Sequence, residues 1–190
     1  KIAFDENIPA QMVRVFKALG QEKRFKKDGL EFVSASDYAP KPTDRDYVRR
    51  SDVPWLNRFA AAKGTVVISG NTRMMDVPHE MEALRQHNFV VFFFERKWNG
   101  WTFFPKCSLL LFHWPVVAEK IKRATPGQFW CIPNHFRKDE VLRDVTPGAK
   151  QIQKANTRVA GRKIRGGNKG IGRKLDGNGA QSNRQIGRKE

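Results

Sequence analysis

The stretch that decides the fold is Phe-Val-Val-Phe-Phe-Phe at residues 89–94. Six apolar residues without polar alternation predict a strand buried on both faces, as in the middle of a parallel sheet. Working outward, four more apolar runs predict short strands, at residues 2–4, 30–34, 65–69 and 128–132. Parallel neighbours require long connections, most often helices. The gaps between these runs are long enough to hold them.

The first two connections between predicted strands contain residues typical of helix starts and ends. In the first, we predict a helix capped by Asn7, with Pro9 in its first turn and Gly20 at its end. In the second, we predict a helix that starts at Ser51 or Asp52 and ends before a glycine. Both helices carry apolar residues on one face, which indicates packing against the sheet.

Two further helices are predicted over residues 78–86 and 108–124. The second contains Pro115, which predicts a kink or a break there. Strands joined by helices predict an α/β fold of three layers, with a mostly parallel sheet of about five strands covered on both faces. We assign this domain to residues 1–135.

Composition excludes several classes of protein. The chain has 190 residues, 39% of them hydrophobic, so it can bury a core. No apolar run reaches the length that crosses a bilayer. The first residues do not resemble a secretory signal, and the only cysteines, Cys107 and Cys131, predict buried thiols. We therefore expect a cytoplasmic protein without a membrane partner.

The formal net charge of +17 predicts a polyanionic partner, with nucleic acid as the first candidate. The excess is uneven: residues 1–135 hold 21 basic and 14 acidic residues, whereas residues 136–190 hold 15 basic and 5 acidic ones. From about Pro147 onward the chain is poor in apolar residues, which predicts a disordered basic tail. We assign residues 136–190 to a linker and this tail.

Polar residues follow the predicted strands, and parallel strands bring their carboxyl ends to one edge where ligands bind. The candidates at this edge are Asp5, Glu6, Asp37, Asp52, Asn71 and Thr72. Clustered carboxylates repel one another, and a hard divalent cation such as Mg²⁺ or Mn²⁺ relieves that repulsion. Such an ion can activate water for attack on a phosphodiester and stabilise the leaving oxygen.

Structural roles compete with these assignments. Asp52 is also well placed as a helix cap. The loop acids Asp37, Asp44, Asp46 and Asp76 are by default solvated or turn-forming, although one of them can supply a missing ligand. Trp98 and Trp101 flank a predicted turn, where they either stack on unpaired bases, pack in the core or contact a protein partner.

Four segments, in order, resemble the PIN-like ribonuclease family, and in particular VapC-type toxins. They are residues 4–9 (FDENIP), 51–56 (SDVPWL), 67–74 (VISGNTRM) and 109–115 (LLLFHWP). The resemblance covers residues 1 to about 133. It implies a parallel α/β domain with an acidic, Mg²⁺-dependent endoribonuclease site and, for toxins, a cognate antitoxin. Position by position, Asp5 and Asp52 match family acids and are the implied metal ligands.

Asn71 departs from the family pattern, which usually has an acid at this third ligand position. An amide there removes one negative charge from the metal site. Either the natural protein has drifted, or Asp was replaced deliberately to silence a toxic nuclease. Beside it, Thr72 is a candidate to orient a metal-bound water, and Arg73 is a candidate to hold the scissile phosphate or is simply solvated.

Two functions follow as hypotheses. The first is a metal-dependent endoribonuclease toxin that cleaves RNA and is blocked by an antitoxin, in a form that is either active or inactivated at Asn71. The second is a non-catalytic RNA-binding module of the same fold whose metal site has degenerated. In both, the tail raises the affinity for RNA through phosphate contacts that weaken with salt.

Overall fold

A computed structural model of the chain describes residues 1–26, 28–137 and 142–148. Its strands form a single sheet in the order β2-β1-β3-β4-β5-β6. All neighbours pair in parallel except β5 and β6. The strands are β1 Ile2–Phe4, β2 Phe32–Ser34, β3 Val66–Ser69, β4 Val90–Phe94, β5 Phe129–Ile132 and β6 Arg143–Asp144. The mostly parallel α/β sheet predicted from the sequence is confirmed.

The helices cover both faces of the sheet. They are α1 Ala10–Leu19, α2 Lys23–Lys26, α3 Val53–Ala61, α4 Pro78–Gln86 and α5 Phe103–Arg123. Core residues of α1 and α5 pack on one face of the sheet, and those of α3 and α4 pack on the other. All five residues of β4 are buried, because each points into one of these two cores. The result is the expected arrangement of three layers.

The sixth strand has no counterpart in the sequence prediction. Both of its residues are exposed, so no apolar run marks it. It pairs with β5, and the Val145 backbone N–H donates to the Phe129 carbonyl at 2.8 Å. Residues 142–146 therefore still contact the sheet or its core, beyond the expected domain boundary at residue 135. The predicted disordered tail falls almost entirely on residues 149–190, which lie outside the described residues.

Two helix details were predicted wrongly. Asn7 does not cap α1, because the helix starts after Pro9 and the Asn7 side chain donates to Asp5 instead. The last helix begins at Phe103 and not near residue 108, and it runs through Pro115 as one element, so of the predicted kink or break the break is absent. Pro115 and Leu111 are both exposed. Water can therefore satisfy the carbonyl that the proline leaves without a helical donor.

Gly64 permits the close approach of the α3–β3 connection to the core. A Cβ atom at this position would lie 2.3 Å from the ring of Phe59, which is fully buried. We expect Gly64→Ala to lower the free energy of unfolding by about 1–3 kcal/mol, as overpacking does, in urea unfolding. Gly100→Ala is the control, because nothing lies within 4 Å of its added Cβ. Equal stability of the two variants would contradict this packing.

Across the described residues, no helix combines the length and the apolar character that a membrane span requires.

Candidate active site

The sheet changes direction between β1 and β3. From β1 the chain first adds β2 on one side and then returns to place β3 on the other. Open α/β sheets bind ligands at such a switch point, outside the carboxyl ends of the strands. Here Asp5 directly follows β1. Ser69 is the last residue of β3, and Asn71 lies two residues beyond it. The Asp5 backbone N–H donates to the Ile68 carbonyl at 3.0 Å, which keeps the two strand ends together.

Asp5 is a buried carboxylate, with 1% of its surface exposed. Its Oδ2 atom accepts hydrogen bonds from Ser69 Oγ at 2.7 Å and from Asn7 Nδ2 at 3.0 Å. Its Oδ1 atom is buried and has no donor within the described part of the chain. A buried carboxylate oxygen without a donor is unfavourable unless a water molecule or a bound ion satisfies it.

Asp52 stands at the start of α3 and is the second acid of the site. Its side chain makes no capping hydrogen bond, so the competing capping role is wrong. Instead its Oδ1 atom accepts from the indole Nε1 of buried Trp55 at 3.2 Å. Burial raises the pKa of Asp52, and the charges of Asp5 and Glu6 raise it further. The charge of Asp5 therefore acts on Asp52.

Glu80, in the first turn of α4, is a third acid that the sequence analysis missed. It is only 6% exposed, and α4 packs against α3. Burial raises its pKa to about 7, and the charges of Asp52 and Asp5 add to that effect. A signal was present in the sequence: Glu80 lies four residues before Leu84, on the buried face of the helix.

Asn71 is tied to this cluster through Ser69. The Asn71 backbone N–H donates to Ser69 Oγ at 2.9 Å, and Ser69 in turn donates to Asp5. The side-chain oxygen of Asn71 accepts from the Arg73 backbone N–H at 3.1 Å, so it caps the 3-10 turn Thr72–Met75. Within that turn Thr72 is half-buried and Arg73 is exposed.

The remaining candidate acids have other partners or face solvent. Asp37 completes a capping box with Ser34 and binds Lys17, so it stays out of the cluster. Asp44 and Asp46 both bind Arg58, which lowers the pKa of each carboxyl. Glu6 and Asp76 are exposed, although Glu6 is close enough to affect Asp52.

A family model described as a PIN-like domain matches residues 1–96, about half of the chain. The chain belongs to the PIN-like domain family. The matched range carries β1 to β4 together with Asp5, Asp52, Asn71 and Glu80, and it ends short of the expected limit near residue 133. No curated protein matches the chain significantly, and neither does any solved structure.

PIN-like domains are nuclease-type modules that typically use divalent metals. In residues 1–26, 28–137 and 142–148, no three His, Cys, Asp or Glu side chains lie close enough to share one metal ion. The chemistry of the PIN-like site nevertheless suits such an ion. Asp5 has an oxygen without a donor, and burial and like charges raise the pKa values of Asp52 and Glu80. A bound cation would relieve both conditions.

The raised pKa of Glu80 makes the stability of the PIN-like domain depend on pH. Between the usual glutamate pKa near 4.5 and about 7, folded Glu80 holds a proton that the unfolded chain has lost. Stability therefore falls as the pH rises through this window, by up to about 3 kcal/mol. We expect Glu80→Gln to remove much of this fall. Urea unfolding in EDTA at several pH values measures it.

Exposed Glu82, on the same helix, provides the matched control as Glu82→Gln. This variant should retain the pH dependence of the native chain. If Glu80→Gln and Glu82→Gln gave the same pH profile, the buried position of Glu80 beside Asp5 and Asp52 would be refuted.

Proposed function

We propose that this protein is a Mg²⁺- or Mn²⁺-dependent endoribonuclease. The observation that carries the proposal is the buried Asp5 carboxylate at the β1/β3 switch point, with an oxygen that has no donor and with Asp52 and Glu80 beside it. The net charge of +17 favours a polyanionic substrate.

In this proposal Asp5 and Asp52 hold the cation, and Asn71 stands at a third ligand position. The bound cation supplies Lewis acidity for attack of water on the phosphodiester and for charge on the leaving oxygen. Ser69 fixes the Asp5 carboxylate by donating to its Oδ2 atom. Thr72 positions water and Arg73, which is exposed beside the cluster, binds the scissile phosphate.

Glu80 has its own role in the proposal. With a pKa near 7, it accepts or releases a proton at the pH of the cell. Its place beside Asp52 puts that proton exchange next to the proposed cation.

The proposed biological role is that of a cytoplasmic toxin with a cognate antitoxin. The four segments that resemble VapC-type toxins support it. Induced expression in a bacterial host tests the role: the Asn71→Asp form should arrest growth, and Asp5→Asn should abolish the arrest. Normal growth with Asn71→Asp at equal protein level would contradict it.

A second candidate is an RNA-binding module that retains the fold without catalysis. Two observations favour it: the Asn71 oxygen is used to cap the following turn, and no three potential ligands in the described residues are close enough to share a metal. In this case RNA binding persists in EDTA and no divalent metal promotes cleavage.

The two candidates are separated by incubating labelled RNA with the native chain in Mn²⁺, Mg²⁺ or EDTA. The endoribonuclease produces internal fragments with metal that are absent in EDTA and absent from the Asp5→Asn variant. Binding without fragments, for both the native chain and Asn71→Asp, would establish the second candidate and refute the first.

The tail contributes affinity for RNA in this proposal. Residues 150–189 contain 12 basic residues and one acid. Truncation after Thr146 should weaken RNA binding at low salt and flatten its salt dependence, because fewer counterions are released. Fluorescence anisotropy across a salt series measures both effects. Unchanged affinity would show that the tail does not contact RNA.

A further inference from the structure

A half-buried Trp101 and an exposed Phe136 form a pair of aromatic rings beyond the carboxyl ends of β4 and β5. Trp101 follows the 3-10 turn Arg96–Gly100, and Phe136 follows β5. Their rings are stacked, with centroids 6.5 Å apart and planes 13° apart. Phe112 of α5 packs edge-on against Phe136, with centroids 5.5 Å apart. Phe136 is thus held by two rings, yet it is 49% exposed.

The surface around this pair is positively charged. Arg96, Lys97 and Arg137 are exposed, and none of them forms an ion pair with a described residue. The acid among them, Glu95, binds Arg143 and also accepts from a backbone N–H. Among the described residues, Glu95 is therefore paired, whereas the three cations have no acidic partner.

The 3-10 turn connects this surface to the acid cluster. A Cβ atom built on Gly70 would lie 3.2 Å from Asn99 Oδ1 and 2.8 Å from the Trp98 ring. The turn thus packs directly on the residue between Ser69 and Asn71. Since β5 lies two strands beyond β3, the ends of these two strands are roughly 10 Å apart along the same edge of the sheet. A strand of RNA can span this distance with a few nucleotides.

We infer that Phe136, supported by Trp101, is a stacking site for an unpaired base of single-stranded RNA whose phosphates contact Lys97, Arg96 and Arg137. The inference rests on the proposed function, because it takes the acid cluster as the cleavage site. A ring face is accessible to a base only when that base is unstacked, as in loops and single strands. The site therefore selects single strands over duplexes.

The test measures binding by the full-length chain in EDTA, by fluorescence anisotropy. The probe is a short labelled RNA, either single-stranded or annealed to its complement, and EDTA removes the metal that cleavage would need. Phe136→Ala should weaken single-strand binding about five- to hundredfold, the range for one base stacked on an aromatic ring. Duplex binding and the salt dependence should not change. Phe136→Trp should retain single-strand affinity.

Two further variants distinguish base stacking on Phe136 from phosphate contacts and from the loss of any exposed aromatic ring. Lys97→Ala should weaken binding to both probes and lower the salt slope on the single strand by about 0.7. Phe104→Ala removes an aromatic ring that is 78% exposed and that, among described residues, contacts the ring of Phe103. It should leave binding unchanged. Thermal unfolding checks that each variant is folded.

The inference is overturned if Phe136→Ala leaves single-strand affinity unchanged or weakens duplex binding equally. Unchanged binding with an altered molecular mass in solution would identify the rings as a protein contact instead. Because the assay needs neither metal nor cleavage, its failure would leave the proposed nuclease intact. Conversely, absence of cleavage would not affect the binding result.

Discussion

Asn71→Asp should raise metal-dependent RNA cleavage by at least about tenfold over the native chain, on the scale of groups that tune a metal site. The Asn71 backbone N–H donates a hydrogen bond to Ser69 Oγ, and Ser69 in turn donates to Asp5. A carboxylate at residue 71 therefore adds negative charge where the cation is proposed to bind. The fold should be unaffected. Asp caps as well as Asn, so the hydrogen bond from the Arg73 backbone N–H is retained.

Asn71→Ser is the matched control for this gain. Serine also supplies a capping oxygen but no carboxylate. It should cleave no faster than the native chain, whereas Asn71→Asp should require Mn²⁺ or Mg²⁺ and lose its activity in EDTA. A gel assay with labelled RNA over a metal series measures all three. Equal rates for the native chain and Asn71→Asp would show that the charge at residue 71 does not limit catalysis.

Asp5→Asn should abolish cleavage, with a loss of at least about a hundredfold, in both the native and the Asn71→Asp chains. Asp5 is the most buried acid of the cluster, and its Oδ1 atom has no donor. The amide retains an oxygen for Ser69 but removes the charge that attracts a cation. It also removes a charge that raises the pKa values of Asp52 and Glu80.

The stability of the Asp5→Asn variant distinguishes a catalytic role of Asp5 from a structural role. Because removing the charge relieves repulsion, the free energy of unfolding in EDTA should stay the same or rise. Asp76→Asn is the control, since this acid is exposed and close in sequence to Asn71. Asp76→Asn should cleave like its parent chain. A folded Asp5→Asn variant with full activity would remove Asp5 from the mechanism.

The sequence was sufficient to predict the sheet because its strands are nearly continuous apolar runs. Residues 89–94 are the clearest case, since a parallel strand buried on both faces leaves little room for polar side chains. The exposed edge strand β6 carries no such pattern, and its pairing with β5 depends on tertiary contacts that propensity does not encode.

For the site, the sequence predicted which residues lie at the strand ends better than it predicted which side chains they contact. The rule that ligands bind beyond strand ends selected Asp5 and Asp52, and in the structure the charge of Asp5 raises the pKa of Asp52. It missed Glu80, because that acid follows no strand and reaches the site from an α4 position packed against α3. Asn7 was assigned to a cap by residue type alone, whereas its side chain is used to bind Asp5.

A calorimetric titration of Mn²⁺ into the native chain, and into Asp5→Asn, tests most directly whether the acid cluster binds a divalent cation. The native chain should bind one Mn²⁺ in competition with Mg²⁺ and release protons near pH 7, because a nearby cation lowers the pKa of Glu80. Asp5→Asn should lose this binding. The absence of saturable binding to the native chain, or equal binding by both chains, would contradict the account.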